Sequence, residues 1–179
     1  MSDGLVSVGH VGDLLRFELG PRCGLRRGTS ATAWYAEGCA QEAVDPARAM
    51  DAYERALAGR PDLADAYNNL GRVLHDQRDR GLAPAALPTC ESYYRLAICA
   101  DAEVALYWFN LGVAVEDQGR VSEAIDAYER ALAIDPTMAD AHFNLARLLE
   151  VVGRNTHDEL VLRRAVRHLV RYRDLGRVG

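Results

Sequence analysis

The chain has 179 residues, 49% of them hydrophobic, and a formal net charge of −5. No apolar run approaches the roughly 20 residues a helix needs to cross a bilayer, so the composition points to a soluble chain with no membrane association. The opening residues lack a basic leader followed by an apolar stretch and a small-residue cleavage site, which sets the expectation of a cytoplasmic protein.

Residues 1–30 form a lead-in. Leu5 to Val8 and Leu14 to Leu19 read as two short strands around Gly9 and Gly12, while Gly20-Pro21 and Arg26-Arg27-Gly28 read as irregular or disordered chain. From Ala31 onward a pattern recurs. Asn69-Leu70-Gly71, Asn110-Leu111-Gly112 and Asn144-Leu145-Ala146 are offset by 41 and then by 34; Tyr94 and Tyr128 are 34 apart; Pro61 and Pro136 are 75 apart, which is 34 plus 41. The period is therefore 34, interrupted once.

Four units follow in order. The first, about 31–63, carries Trp34, Gly38, Ala49, Tyr53, Ala56 and Pro61, with a turn around Val44-Asp45-Pro46. The second, 64–104, carries Tyr67, Leu70, Gly71 and Leu74, then Cys90, Tyr94 and Ala97; its seven-residue excess lies in Gly81 to Pro88, where two prolines argue for a surface loop. In the third, 105–138, Trp108, Leu111, Gly112 and Val115 fall at helical spacing, Gly119-Arg120 breaks the run, and Ala124, Tyr128 and Ala131 make a second stripe. Small residues let the two helices approach, and Asp135-Pro136 ends the second. The fourth, 139–175, holds His142, Leu145, Ala146 and Leu149, then Ala165, Leu169 and Tyr172 after a further excess of about seven residues, part of which extends the last helix.

This order of aromatic, Leu-Gly, small, aromatic, small and proline resembles the tetratricopeptide repeat. The resemblance implies an all-α chain, a right-handed superhelix of about four helix-turn-helix units over 31–179. In that pattern Cys39 and Cys90 take places of small buried residues, so the cysteines, which lack metal-ligand spacing, read as structural, and no metal or cofactor is expected. Trp34 to Cys39 with the run from Asp62 to Gly71 is also similar, more weakly, to the repeat portion of bacterial MerR-type regulators. Only thirty residues precede the repeats, without a helix-turn-helix pattern, so a regulatory role would act through a partner or a dimer.

No phosphate loop, nucleophile elbow or paired histidines at ligand spacing occur, and a catalytic role is not expected. His142 stands in for a packing aromatic, and His75 is expected on the surface. The internal His157-Asp158-Glu159-Leu160 is not a retention signal, which is read only at a C-terminus.

The resemblance further implies a concave groove lined by the first helices, for a peptide or helix of another protein. Family positions two, five, six, nine, twelve and thirteen select Asp65, Asn68, Asn69, Arg72, His75 and Asp76 in unit two. They select Leu106, Phe109, Asn110, Val113, Glu116 and Asp117 in unit three, and Asp140, Phe143, Asn144, Arg147 and Glu150 in unit four. Phe109 and Phe143 are expected as apolar anchors, and Asn69, Asn110 and Asn144 as a ladder for a peptide backbone. Six acids against Arg72 and Arg147 imply a partner with some positive charge, and weigh against a clamp for a C-terminal carboxylate. All 21 cationic residues are arginine, six of them within 163–179 against one acid. That basic end is read as the solvated face of a terminal repeat rather than a nucleic-acid site. Leu162, Val166, Leu169 and Val170 form a stripe expected to pack mostly inward, with a homodimer as the alternative use of its outer part.

Overall fold

The structure is a computed structural model that describes residues 30–81 and 90–176. The strands or irregular lead-in expected before residue 30, and most of the proline-bearing loop, lie outside those residues. Eight helices are described: α1 Ala31–Gln41, α2 Pro46–Gly59, α3 Ala64–Asp79, α4 Cys90–Ala100, α5 Ala105–Glu116, α6 Val121–Ile134, α7 Ala139–Thr156 and α8 Glu159–Leu175. There is no strand among the described residues, and none of the described helices is long and apolar enough to cross a membrane.

Local chemistry sets the boundaries. Ser30, Asp45 and Asp158 cap α1, α2 and α8 by accepting backbone N–H bonds, and Pro46 sits in the first turn of α2, where no amide hydrogen is needed. The Asp135 carboxylate accepts from the Thr137 amide and hydroxyl at 2.8 and 2.6 Å, which fixes the turn after α6 and lowers the pKa of Asp135. Gly119, at φ 75°, supplies the left-handed residue in the turn between α5 and α6.

Turns this short make consecutive helices antiparallel, and each helix packs chiefly on those before and after it in sequence. The pairs α1/α2, α3/α4, α5/α6 and α7/α8 are the most extensive contacts, so the chain stacks pair upon pair. Inside three pairs the close approach is the same. A Cβ at Gly38, Gly71 or Gly112 would come within 2.7 Å of the ring of Tyr53, Tyr94 or Tyr128. These three tyrosines are buried and fill the space that the glycine opens. In the fourth pair Gly153 meets Leu162 instead.

The excess in the last unit is shared between its helices: α8 has 17 residues against 14 in α6, an extension of the last helix as expected, and α7 has 18 against 12 in α5, so the larger part lengthens the first helix. On the outer side Glu91 accepts from Arg120 at 2.7 Å, Arg95 at 2.8 Å and Gln118 at 3.0 Å, tying the start of α4 to the turn after α5. Burial alone would raise the Glu91 carboxyl; these donors outweigh it and hold it at about 2.

Candidate binding wall

The first helices α1, α3, α5 and α7 stand side by side, and α3 touches α5 directly. Side chains bridge them from end to end. Tyr35 on α1 accepts from Asn69 on α3 at 3.3 Å; Tyr107 on α5 donates to Asp65 at 2.5 Å; and Asn110 donates to Asn68 at 2.8 Å.

The first and third junctions between units share one arrangement. At the first, Tyr53 donates to Glu42, Glu42 pairs with Arg72, and Asn69 donates to the Tyr53 hydroxyl at 3.3 Å. At the third, Tyr128 donates to Glu116 at 2.9 Å, Glu116 pairs with Arg147, and Asn144 donates to the Tyr128 hydroxyl at 3.3 Å. Each glutamate is thus shared between the tyrosine of its own unit and the arginine of the next. Burial first, and then the neighbouring carboxylate at Tyr128, push both phenols well above their usual pKa, so both remain donors at any ordinary pH.

The middle junction departs from this. Position nine holds Val113 in place of arginine, and position twelve of unit two holds His75 in place of glutamate. His75 is not the exposed residue expected. Its side chain is 12% exposed, with Nε2 2.8 Å from Asp117 and 3.7 Å from Asp79. These three residues bring ligand atoms within 4.8 Å of one another, a set a metal could use. The Arg78 guanidinium already lies 2.5 Å from Asp117 and 3.2 Å from His75, so the chain supplies the cation itself.

Of the residues expected to face a ligand, Arg72 and Arg147 are each paired with a glutamate, and the Asn69 and Asn144 amides each donate to a tyrosine hydroxyl. Phe109 is half-buried, its ring 5.7 Å from that of Tyr128, whereas Phe143 is exposed and meets Tyr172 at 5.2 Å. Cys39 is exposed on the wall, its sulfur 3.4 Å from the Tyr53 hydroxyl, while Cys90 is buried as expected. Position nine, not eight, falls on Cys39, and the buried small place beside it belongs to Gly38. Tyr35 and Glu42 stand at positions five and twelve of the first unit, so the positional rule applied from Ala31 selects both.

What remains open is apolar. Leu106 is 47% exposed, and Phe109 and Val113 follow it at three- and seven-residue spacing along the same side of α5. Since α5 also buries Leu111, Ala114 and Val115 on its other side, it carries apolar residues on both sides, with Asn110 and Glu116 as its polar side chains, unlike α3.

Residues 35–98 match the family described as tetratricopeptide repeat, and residues 117–150 the family described as TPR repeat. Protein FlbA of Caulobacter vibrioides is 34% identical over 122 residues, which is 68% of this chain but 19% of FlbA. The peroxisomal targeting signal receptor of Kluyveromyces lactis is 38% identical over 53 residues, 30% of this chain and 9% of the receptor. The chain therefore spans a small part of either relative. Among solved structures, MamA of Desulfovibrio magneticus RS-1 superposes with a TM-score of 0.64 at 20% identity, over 85% of this chain and 78% of MamA. Pseudomonas aeruginosa PilF gives 0.66 at 19%, over 82% and 61%. The first TPR of Spaghetti (RPAP3), bound to the HSP90 peptide SRMEEVD, gives 0.61 at 18%, over 69% and 94%. At these identities the likeness is one of fold, an all-α repeat superhelix.

Proposed function

Because the chain belongs to the tetratricopeptide-repeat family, we propose that it is a non-catalytic interaction module that holds a peptide or helix of another protein against its first-helix wall. Protein binding is what this fold supports; the occupant and its place on the wall are our own reading. The observation that carries it is the stripe Leu106, Phe109 and Val113 on the wall's central helix, with Phe143 on the next. Phe109 and Val113 pack in part on the core, whereas Leu106 beside them is exposed and has no such contact to account for it. An exposed leucine and phenylalanine on neighbouring helices suit the apolar anchors of a bound segment.

Spaghetti's TPR holds an HSP90 peptide, and a peptide fits this wall as well, though not through a grip on a terminal carboxylate. The two arginines that would form such a grip are neutralised by Glu42 and Glu116. The acids that flank the stripe, Asp65 and Asp140, are both exposed and favour a ligand with basic residues beside its apolar anchors.

The test is selection of binders to the full chain from a random-peptide display library. Selected peptides are expected to combine apolar and basic residues, and Leu106→Asp/Phe143→Ala is expected to weaken them roughly tenfold or more without changing the circular dichroism. A control, Ala133→Asp on the exposed side of α6, should leave binding unchanged. Peptides indifferent to the wall variant but lost in the control would move the site to the outer face and end this reading.

A further inference from the structure

The two ends of the stack present faces that fit each other. In α3, α5 and α7 the third and tenth residues are buried: Ala66 and Val73, Tyr107 and Ala114, Ala141 and Leu148. Each of these helices packs against the second helix of the preceding unit. The corresponding residues of α1, Ala33 and Ala40, are exposed, and Ala36 between them is exposed too. Among the described residues, nothing covers this strip. It lies at the register where every other first helix receives a neighbour.

At the opposite end α8 carries five of the nine large apolar side chains that are exposed among the described residues. Its stripe was expected to pack mostly inward. Leu162 does lie against Gly153, but Val166, Leu169 and Val170 face outward. The buried Ala165 matches the buried Ala124 of α6, so Val166 and Leu169 stand where α6 has Ile125 and Tyr128, both part of the core shared with α7. In α8 the described chain provides no such covering helix.

We propose that α8 of one copy packs on α1 of a second copy, as α6 packs on α7 within the chain, so that copies join head to tail. Charge favours this pairing over α8 against α8. Residues 160–176 hold five arginines and one acid, whereas residues 30–63 hold six acids and three arginines. Two α8 faces would oppose basic to basic; α8 on α1 opposes basic to acidic. Such a contact uses different surfaces on the two partners and leaves one of each free, so it extends rather than closes. With one helix from each side it is small, and association is expected to be weak and to loosen in salt. The inference rests on the end faces and is independent of what occupies the wall.

Analytical ultracentrifugation of the full chain over a concentration series tests it. The wild-type mass is expected to climb past that of a dimer as concentration rises. Val166→Glu/Val170→Glu and Ala36→Arg/Ala40→Arg, each verified as folded by circular dichroism, are expected to stay monomeric when alone. Mixed together they are expected to give a dimer and nothing larger, since one retains its α1 face and the other its α8 face. A wild-type monomer at every concentration would overturn the proposal and leave the α1 strip to another occupant, the chain's own residues 1–29 included. A dimer that survives the α1 substitutions would overturn it in favour of a symmetric α8 contact.

Discussion

Tyr128→Ala is expected to remove about 3–5 kcal/mol of stability, the cost of emptying a fully enclosed aromatic site. The side chain is 0% exposed, lies on Gly112, packs beside Phe109 and holds both Glu116 and Asn144 through its hydroxyl. Tyr128→Phe separates the two contributions. It keeps the ring and is expected to cost about 1–2 kcal/mol, the share of the hydrogen bonds and of the partners left without them. Gly112→Ala would place a Cβ 2.6 Å from the Tyr128 ring, so overpacking should cost about 1–3 kcal/mol in the natural background. In the Tyr128→Ala background the obstacle is gone, and the better helix propensity of alanine should make the same change neutral or stabilising. Urea unfolding of the four proteins, followed by tryptophan fluorescence, measures the coupling. Equal costs for Gly112→Ala in both backgrounds would refute the glycine-tyrosine contact as the basis of the pair.

Acid is expected to loosen the last pair of helices through two histidines that the fold brings together. His142 Nδ1 and His168 Nδ1 are 2.8 Å apart, and His142 Nε2 is 3.1 Å from the Pro136 carbonyl oxygen. A carbonyl only accepts, so His142 carries its proton on Nε2; its Nδ1 then accepts from His168. Burial of His168, then the neighbouring His142, Arg164 and Arg167, lower its pKa from 6.5 to about 4. The unfolded chain takes up the proton first as pH falls. The stability contributed by the neutral form is complete above 6.5 and is lost between 6.5 and about 4. Discounted for partial exposure, the loss should be about 1–2 kcal/mol. Carboxylates also titrate near the lower limit, so the quantity to measure is the difference between wild type and His168→Asn across this window by urea unfolding. A difference that does not vary with pH would mean the pair has no titrating role.

Much of the fold is legible in the sequence because a 34-residue period leaves few ways to pair helices. Gly112 with Tyr128 could be read from one unit and carried to the first and second, and the Asp135-Pro136 stop has its counterpart at Pro61 in the first. Contacts between units are harder. The glutamate, tyrosine, asparagine and arginine of the first and third junctions are each repeated 74 or 75 residues on, as Pro61 and Pro136 are, so the signal was present. A single position considered alone marks Arg72, Arg147, Asn69 and Asn144 as facing the groove but does not show the partners that the preceding unit offers them. The His142–His168 pair had no such signal, since 26 residues across a lengthened α7 place them together and no other unit has the same helix lengths. The outward turn of Val166 and Val170 was hidden for the same reason. An amphipathic helix announces that it has an apolar face, but not whether a neighbour covers it.

The apolar character of α5 on both sides also has a kinetic meaning. In a linear array each unit gains stability from its neighbours, and the chain condenses first where solvation of an isolated helix is least favourable. α3 and α7 offer water a strongly polar side; α5 has only Asn110 and Glu116 to offer. Collapse should begin at the α5/α6 pair and spread to both ends, with high φ-values at Leu111 and Ala127 and low ones at Ala52 and Ala165. The stripe proposed above as the anchor for a ligand would then be the surface most exposed to aggregation while the chain is half formed. Occupying it early would speed the native route as well as stabilise its end point.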